Sequence, residues 1–405
     1  MRDFWPSMNL PYLTTDQPGI GGQLKSVPED FLVEEIPLYP PSGEGQHVYV
    51  EIEKRGLSTL AAVKKIAQAL RISPVAIGYA GLKDAQAITR QTLSINNVTE
   101  TAVEALNLPL IKILRVNRHR NKLKVGHLAG NRFIIKVRQV EKEALSIAQT
   151  GLSRLQEKGV PNYFGEQRFG IRHNTHRLGE CLVRNNASEF VAEFLGRPQS
   201  HESIYIQTAR QLVDEGRWIE ALTHWPDKLS DEKQVLRSII KADGQLEIAF
   251  SALNKKLKSL FVSAFQSQLF NQLLAQRIGS LDRLETGDVA YIHGKGASFI
   301  VDDPVSEQPR ADQFEISPSG PLFGPKVMLA EGEPGRREKG LLAEQGLTPA
   351  DFSISGVKIR GTRRPYRFKI KDAKTWWEDD GLMVSFELEP GAYATTVMAE
   401  IMKGQ

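Results

Sequence analysis

The period at which apolar residues recur changes twice along this chain, and that change limits the fold more than any single motif does. In the first third the period is two. Val48, Val50 and Ile52 alternate with Tyr49, Glu51 and Glu53, the pattern of a half-buried strand. The run from Gln91 to Ile95 repeats it, as do Phe133, Ile135 and Val137. From about 160 to 255 the pattern becomes helical. Leu253, Leu257, Leu260, Phe261, Ala264 and Leu274 then predict the buried stripe of a long helix over 252–277. Short strands are expected at 288–292 and 298–301. The stretch 304–334 is rich in Pro and Gly, and Gly332-Glu333-Pro334-Gly335 reads as a loop. Near the end Leu382, Val384, Phe386 and Leu388 restore the strand period. Strands, then helices, then strands imply a helix-rich segment inserted into a β-rich core.

Two early helices stand apart from this scheme. Ser58 or Thr59 is placed to cap one with Val63, Ile66, Ala67 and Leu70 on its inner side. Leu145, Ala148, Leu152 and Leu155 define another over about 141–156.

Composition removes several function classes. A chain of 405 residues is long enough for two domains. No apolar run approaches the roughly 20 residues that cross a bilayer, and the first residues lack a secretory core, so a cytoplasmic protein without membrane association is expected. The single cysteine, Cys181, excludes an intrachain disulfide and a Cys-based zinc site. The eight histidines show no metal-ligand spacing; no metal is expected.

The net charge of +4 is mild, but its distribution is uneven. From Ala105 to Val140 there is no acidic residue, while Lys112, Arg115, Arg118, Arg120, Lys122, Lys124, Arg132, Lys136 and Arg138 fall there. A second acid-free stretch, 352–371, carries Lys358, Arg360, Arg363, Arg364, Arg367, Lys369 and Lys371. Like charges at that density repel unless a polyanion faces them, which points to a phosphate backbone.

The segment with the most chemistry is Gly78 to Gln91, GYAGLKDAQAITRQ. Asp84 follows two glycines that permit close backbone approach, with Lys83 before it and Thr89, Arg90 and Gln91 after it. On residue physics alone, a Lys-Asp pair in a glycine turn reads more simply as a turn or capping device. The whole segment, however, resembles the catalytic motif of TruD-type pseudouridine synthases. Other blocks resemble that family in the same order: KSVPEDFLVEE from Lys25, Gly130-Asn131-Arg132-Phe133, NYFGEQRFG from Asn162, FQSQLFN from Phe265, and Gly391-Ala392-Tyr393-Ala394-Thr395.

The resemblance implies an α+β fold: a mixed, mainly antiparallel pseudouridine-synthase sheet flanked by helices. The core would be 1–159 and 358–405, with a helix-rich α/β TRUD domain inserted at 160–357 to form a cleft. It implies isomerisation of uridine to pseudouridine in tRNA, at position 13 in the bacterial branch, by a monomer that needs no cofactor. Asp84 would be the catalytic carboxylate, paired with Lys25. Phe31, Phe133 and Tyr393 would enclose the flipped base, and Asn131 would hydrogen-bond it. Lys83, Arg168, Arg363 and Arg364 are candidate RNA contacts. Phe265 and Phe270 read as helix packing. Two other readings differ in their products. An RNA-binding protein or tRNA chaperone would not need Asp84. A hydrolase pairing Asp84 with Glu35 or Glu166 would release a base or a cleaved strand.

Overall fold

The computed structural model describes residues 10–403. They form two compact units: described residues 12–160 with 368–403, and described residues 10–11 with 161–367.

The first unit is α+β and built on an eight-stranded sheet. From one edge its strands run Ile370–Glu378, Gly381–Leu388, Leu128–Arg138, Phe31–Pro37, Ile88–Asn96, His47–Arg55 and Ile111–His119, with the short strand Ile77–Tyr79 also paired to Ile88–Asn96. Phe31–Pro37 runs parallel to Ile88–Asn96, and every other neighbouring pair is antiparallel. Ser58 caps the helix Thr59–Ala69, its hydroxyl accepting the Ala61 N–H at 3.2 Å. That helix buries Ala62, Val63, Ile66 and Ala67 against Val48, Val50, Ile52, Leu93 and Ile95. Each buried Val or Ile contributes roughly 1.5–3 kcal/mol.

The alternation in His47–Arg55 ends on an anomaly. Val48, Val50, Ile52 and then Lys54 all face inward with no exposed surface. Register sets this lysine among other site residues: Thr89 lies between Lys54 and Val33, Val33 lies beside Phe133, and two residues along Glu35 pairs with Asn131.

In the second unit the helices Thr175–Val183, Ala187–Leu195, Ile204–Asp214, Trp218–His224 and Ser230–Lys241 precede the long helix Lys255–Arg277. A four-stranded sheet runs Thr362–Pro365, Ile316–Leu322, Val289–Ile292 and Ser298–Ile300. Phe265 stacks on Phe352 at 5.8 Å and Phe270 lies 5.5 Å from Tyr366, so both pack the helix as expected.

Three expectations are corrected here. Leu260 is not in the helix stripe but 44% exposed, because the helix is capped by Asn254 and its inner face is set by Phe261, Phe265 and Leu269. Gly332-Glu333-Pro334-Gly335 is not a loop but the first turn of the helix Gly332–Glu344. Proline is tolerated there because first-turn N–H groups have no intrahelical partner. A Cβ on Gly335 would sit 2.3 Å from the Ala330 carbonyl oxygen, so glycine is required by packing. The chain returns to the first unit at Phe368 rather than at 358, because Thr362–Pro365 is a strand of the second unit's sheet. Among the described residues no helix is long and apolar enough to cross a membrane.

Candidate active site

Asp84 sits in the turn between Ile77–Tyr79 and Ile88–Asn96. Gly78, at the head of that segment, is fixed by packing: a Cβ there would lie 2.3 Å from the Leu123 carbonyl oxygen. The turn is anchored from beneath. The Lys83 N–H donates to Thr59 Oγ1 at 2.9 Å, and the Thr59 hydroxyl donates to Gln91 Oε1 at 2.9 Å. Lys83 Nζ donates to Asn131 Oδ1 at 2.7 Å and lies 2.8 Å from Glu35 Oε2. Glu35 Oε1 accepts the Thr92 N–H at 3.2 Å. Lys54 Nζ donates to the Asp84 carbonyl oxygen at 2.8 Å and also to that of Leu57. Two lysines therefore hold the backbone of the turn while the Asp84 side chain is left for other work.

That carboxylate accepts the Gln86 N–H through Oδ1 at 2.9 Å and the Lys25 ammonium through Oδ2. Lys25 adopts φ of +54°, a left-handed conformation that costs a side-chain-bearing residue roughly 1–2 kcal/mol. Its Nζ lies 4.3 Å from the centre of the Phe31 ring, within cation–π range. Phe31 meets Phe133 edge-on at 6.1 Å, and Phe133 meets Phe386 at 5.6 Å.

About a third of the Asp84 side chain, 34%, remains open to solvent. Partial burial works to raise its pKa. The Lys25 hydrogen bond, the Gln86 N–H and the charges of Lys25 and Lys54 outweigh burial and hold the group below the usual carboxylate range. Asp84 is thus ionised at neutral pH and reachable. Burial pushes Lys54 down to about 8, against the attraction of Asp84. Burial likewise pushes the Cys181 thiol up to about 12, which removes it as a nucleophile.

The expected site residues separate into three groups. Asp84, Lys25, Phe31, Phe133, Lys83 and Asn131 come together in the first unit. Asn131 uses its carbonyl oxygen on Lys83. Tyr393 precedes the helix Ala394–Met402 and is 47% exposed, and no contact ties it to Asp84 or Phe31 among the described residues.

The four RNA-contact candidates fare unevenly. Lys83 is buried and spent on Glu35 and Asn131. Arg363 is buried too, 2.8 Å from Glu338 and donating to Ser319 and to the Met328 carbonyl oxygen. Neither is available to a phosphate. Arg168 donates to Ser267 Oγ at 3.0 Å, and Arg364 lies 4.1 Å from the centre of the Phe164 ring while donating to Asn162. Both belong to the second unit.

Lys54 and Glu35 are the residues whose positions the motif alone does not reveal. For Lys54 the signal was present: a lysine in phase with Val48, Val50 and Ile52 must be buried if the strand continues. The acid-free stretches also change meaning in three dimensions. Neighbouring strands and loops supply partners: Glu51 to Arg115, Glu100 to Arg118, Glu44 to Arg120, Glu387 to Arg132, and Asp30 and Asp380 to Arg138. A run of like charge in sequence is not one in space. Lys112, Lys122 and Lys124 have no acidic partner among the described residues.

Comparison with known proteins bears on this geometry. Residues 7–401 match the family model described as tRNA pseudouridine synthase D (TruD). The chain belongs to the TruD family. A tRNA pseudouridine synthase D of Geobacter metallireducens is 45% identical over 394 residues, covering 97% of this chain and 98% of the relative. One from Syntrophotalea carbinolica is 46% identical over 393 residues, with the same coverage of each chain. A crystal structure of a TruD protein from Methanosarcina mazei superposes with a TM-score of 0.89 at 29% identity, covering 98% of this chain and 97% of that one. The α+β architecture is therefore that of TruD.

Proposed function

We propose that this TruD-family protein isomerises uridine to pseudouridine in tRNA, at position 13, with Asp84 as the catalytic carboxylate. The observation that carries the reading is an ionised, solvent-reachable aspartate whose hydrogen-bond partners Lys25, Gln86 and Lys54 stabilise its charge or hold its backbone. A structural ion pair has no need of an open side, whereas a carboxylate that must meet a nucleotide does.

In the reaction the C1′–N1 bond breaks and a C1′–C5 bond forms, with a proton lost from C5 and one gained at N1. The atoms balance without oxidant, reductant or cofactor. Asp84 serves as nucleophile at C1′ or C6, or as base towards a ribose proton, and Lys25 keeps it ionised in each case. Phe31, which carries Lys25 over its ring, and Phe133 beside it are the aromatic side chains next to the carboxylate's partner. They are 3% and 8% exposed, and an entering uracil would meet them at their open edge. A base stacked on an aromatic ring gains roughly 1–3 kcal/mol, which offsets much of its unstacking from RNA. The Asn131 amide nitrogen has no partner among the described residues and is a donor suited to a uracil carbonyl.

The hydrolytic alternative that pairs Asp84 with Glu35 is disfavoured, because the Glu35 carboxylate is almost wholly buried and committed to Lys83 and the Thr92 N–H. The test is incubation with unmodified tRNA, followed by carbodiimide-blocked reverse transcription. A new stop at position 13, with no free uracil and no strand cleavage, is the expected result. No stop on any tRNA, or release of uracil, contradicts it.

A further inference from the structure

We propose that a hollow beside Glu35, walled by Tyr39, Tyr49, His127 and Asn117, is a second nucleotide subsite that holds an unpaired base of the RNA flanking the target uridine. It rests on the isomerase reading for the identity of the RNA and on independent observations for the site itself.

The hollow has a volume of about 260 Å³. That is below the usual 300–1,000 Å³ of drug-sized pockets and suits a single base. Its rings are fixed in advance. Tyr39 stacks on His119 at 5.2 Å and 15°, meets His127 edge-on at 5.9 Å, and shares a 2.8 Å hydrogen bond between its hydroxyl and His127 Nδ1. Tyr49 packs on His119 at 4.5 Å and donates to the Asn121 carbonyl oxygen at 3.0 Å. Tyr39, Tyr49 and His127 line the hollow, and the hydroxyls of both tyrosines are already committed, which fixes the rings of the stacking wall.

The rest of the lining is mixed: Leu123, Pro37 and Pro41 make an apolar floor, and polar side chains stand beside it. Asn117 is exposed, and its amide has no partner among the described residues. Arg115 holds Glu51 only at 3.7 Å. These are groups that read the edge of a base. On the far side of Tyr39 and His127 lies a second, more open hollow lined by His119, Asn121, Lys122 and Lys124. Lys124 is exposed without an acidic partner among the described residues, and Lys122 spends one of its three donors on the Val75 carbonyl oxygen. One pair of rings thus divides a base-sized slot from a cationic hollow, which is the chemistry of a flat heterocycle joined to a phosphate. The slot also adjoins the catalytic turn: Glu35 and Gln91 line it, and both belong to the hydrogen-bond network that anchors Lys83.

The probe is a single-stranded RNA heptamer with one central uridine and 2-aminopurine at one flanking position, titrated into the full-length protein by fluorescence. Binding to the wild type is expected to quench the fluorophore at one flanking position more than at the others. Tyr39→Leu is expected to abolish that quench and weaken binding about tenfold, within the range for a lost base stack. Asn117→Ala and Lys124→Ala change exposed side chains and decide the matter whether or not Tyr39→Leu folds. The first is expected to flatten discrimination among the four bases at that position, and the second to weaken binding of all heptamers by a few fold. Position-independent quenching in the wild type, or wild-type binding and base preference in both exposed-site variants, overturns the subsite. Pseudouridine measured with tRNA in parallel separates the two claims. Product without a position-specific quench defeats the subsite alone, and a quench without product defeats the isomerase reading alone.

Discussion

Asp84 with Lys25 and Glu338 with Arg363 are both carboxylates facing a cation, yet their acidities are displaced in opposite directions. Glu338 lies 2.8 Å from Arg363 with both side chains almost fully buried, and burial pushes its carboxyl up despite the arginine. Asp84 keeps a third of its surface in water, and its lysines and the Gln86 N–H push it down. The choice of cation follows the same division. Arg363 spreads its donors over Glu338, Ser319 and the Met328 carbonyl oxygen, which locks a sealed joint. Lys25 offers a compact charge at an open edge, which stabilises the ionised form and leaves the carboxylate accessible. The comparison teaches that a sealed charge pair is spent on architecture, whereas an unsealed one leaves its carboxylate reachable.

The largest effects should come from breaking the two pairs, and they should differ in kind. Arg363→Met leaves Glu338 buried without its partner, a change that costs about 3–5 kcal/mol. Thermal unfolding is expected to shift down by about 10 °C, at roughly 2–4 °C per kcal/mol for a domain of this size. Lys25→Met is expected to leave Tm within about 2 °C, as for a solvent-exposed pair, while lowering pseudouridine formation by roughly 10²-fold or more. A large Tm loss in Lys25→Met with little loss of rate would merge the two regions into one structural class.

The pH dependence sharpens the contrast. Because Asp84 is held below the usual carboxylate range, activity that needs its ionised form is retained from neutral pH downward until the lowered pKa is reached. Taking Lys25 away removes its hydrogen bond and charge, so the pKa rises. The acid limb of the Lys25→Arg profile should stay near that of the wild type, and that of Lys25→Met should move to higher pH. An unmoved limb in Lys25→Met would show that another group sets it.

Lys54 gives a smaller effect, read in stability. Its folded value of about 8 lies below the ordinary lysine value of 10.5. Between those pH values the unfolded chain binds the proton and the folded chain does not, so this residue's contribution rises with pH across that window. Wild-type stability minus that of Lys54→Met, followed by urea unfolding from pH 7.5 to 10, should therefore increase. A flat difference would mean that Lys54 stays charged throughout. The smallest change is expected from Tyr393→Ala: the side chain is exposed, so stability should hold within about 0.5 kcal/mol, with any loss confined to KM for tRNA.

Local signals in the sequence carried much of this molecule. The alternation of Val48, Val50 and Ile52 and the cap at Ser58 follow from chain-local geometry, and the structure has both. The Gly78–Gln91 segment pointed to Asp84 because a contiguous motif holds a site's order in one short stretch. What the sequence could not show depends on partners distant along the chain. Arg363 read as a phosphate contact because Glu338, which claims it, belongs to another element. The stretch 105–140 read as unpaired because its acids come from Glu44, Glu51, Glu100, Glu387 and Asp380. The helix at Gly332 was hidden because Gly and Pro, loop formers on average, are both suited to a first turn packed against the Ala330 backbone.

Replacing Asp84 by asparagine tests the central assignment most directly, since it keeps the size of the side chain and its hydrogen bond from Gln86 while removing the charge. With purified wild type and Asp84→Asn on the same unmodified tRNA, pseudouridine formation is expected to fall by at least about 10³-fold, while tRNA affinity and melting temperature stay close to wild type. Product formed by Asp84→Asn at a rate comparable to the wild type would contradict the assignment of Asp84 as the reacting carboxylate.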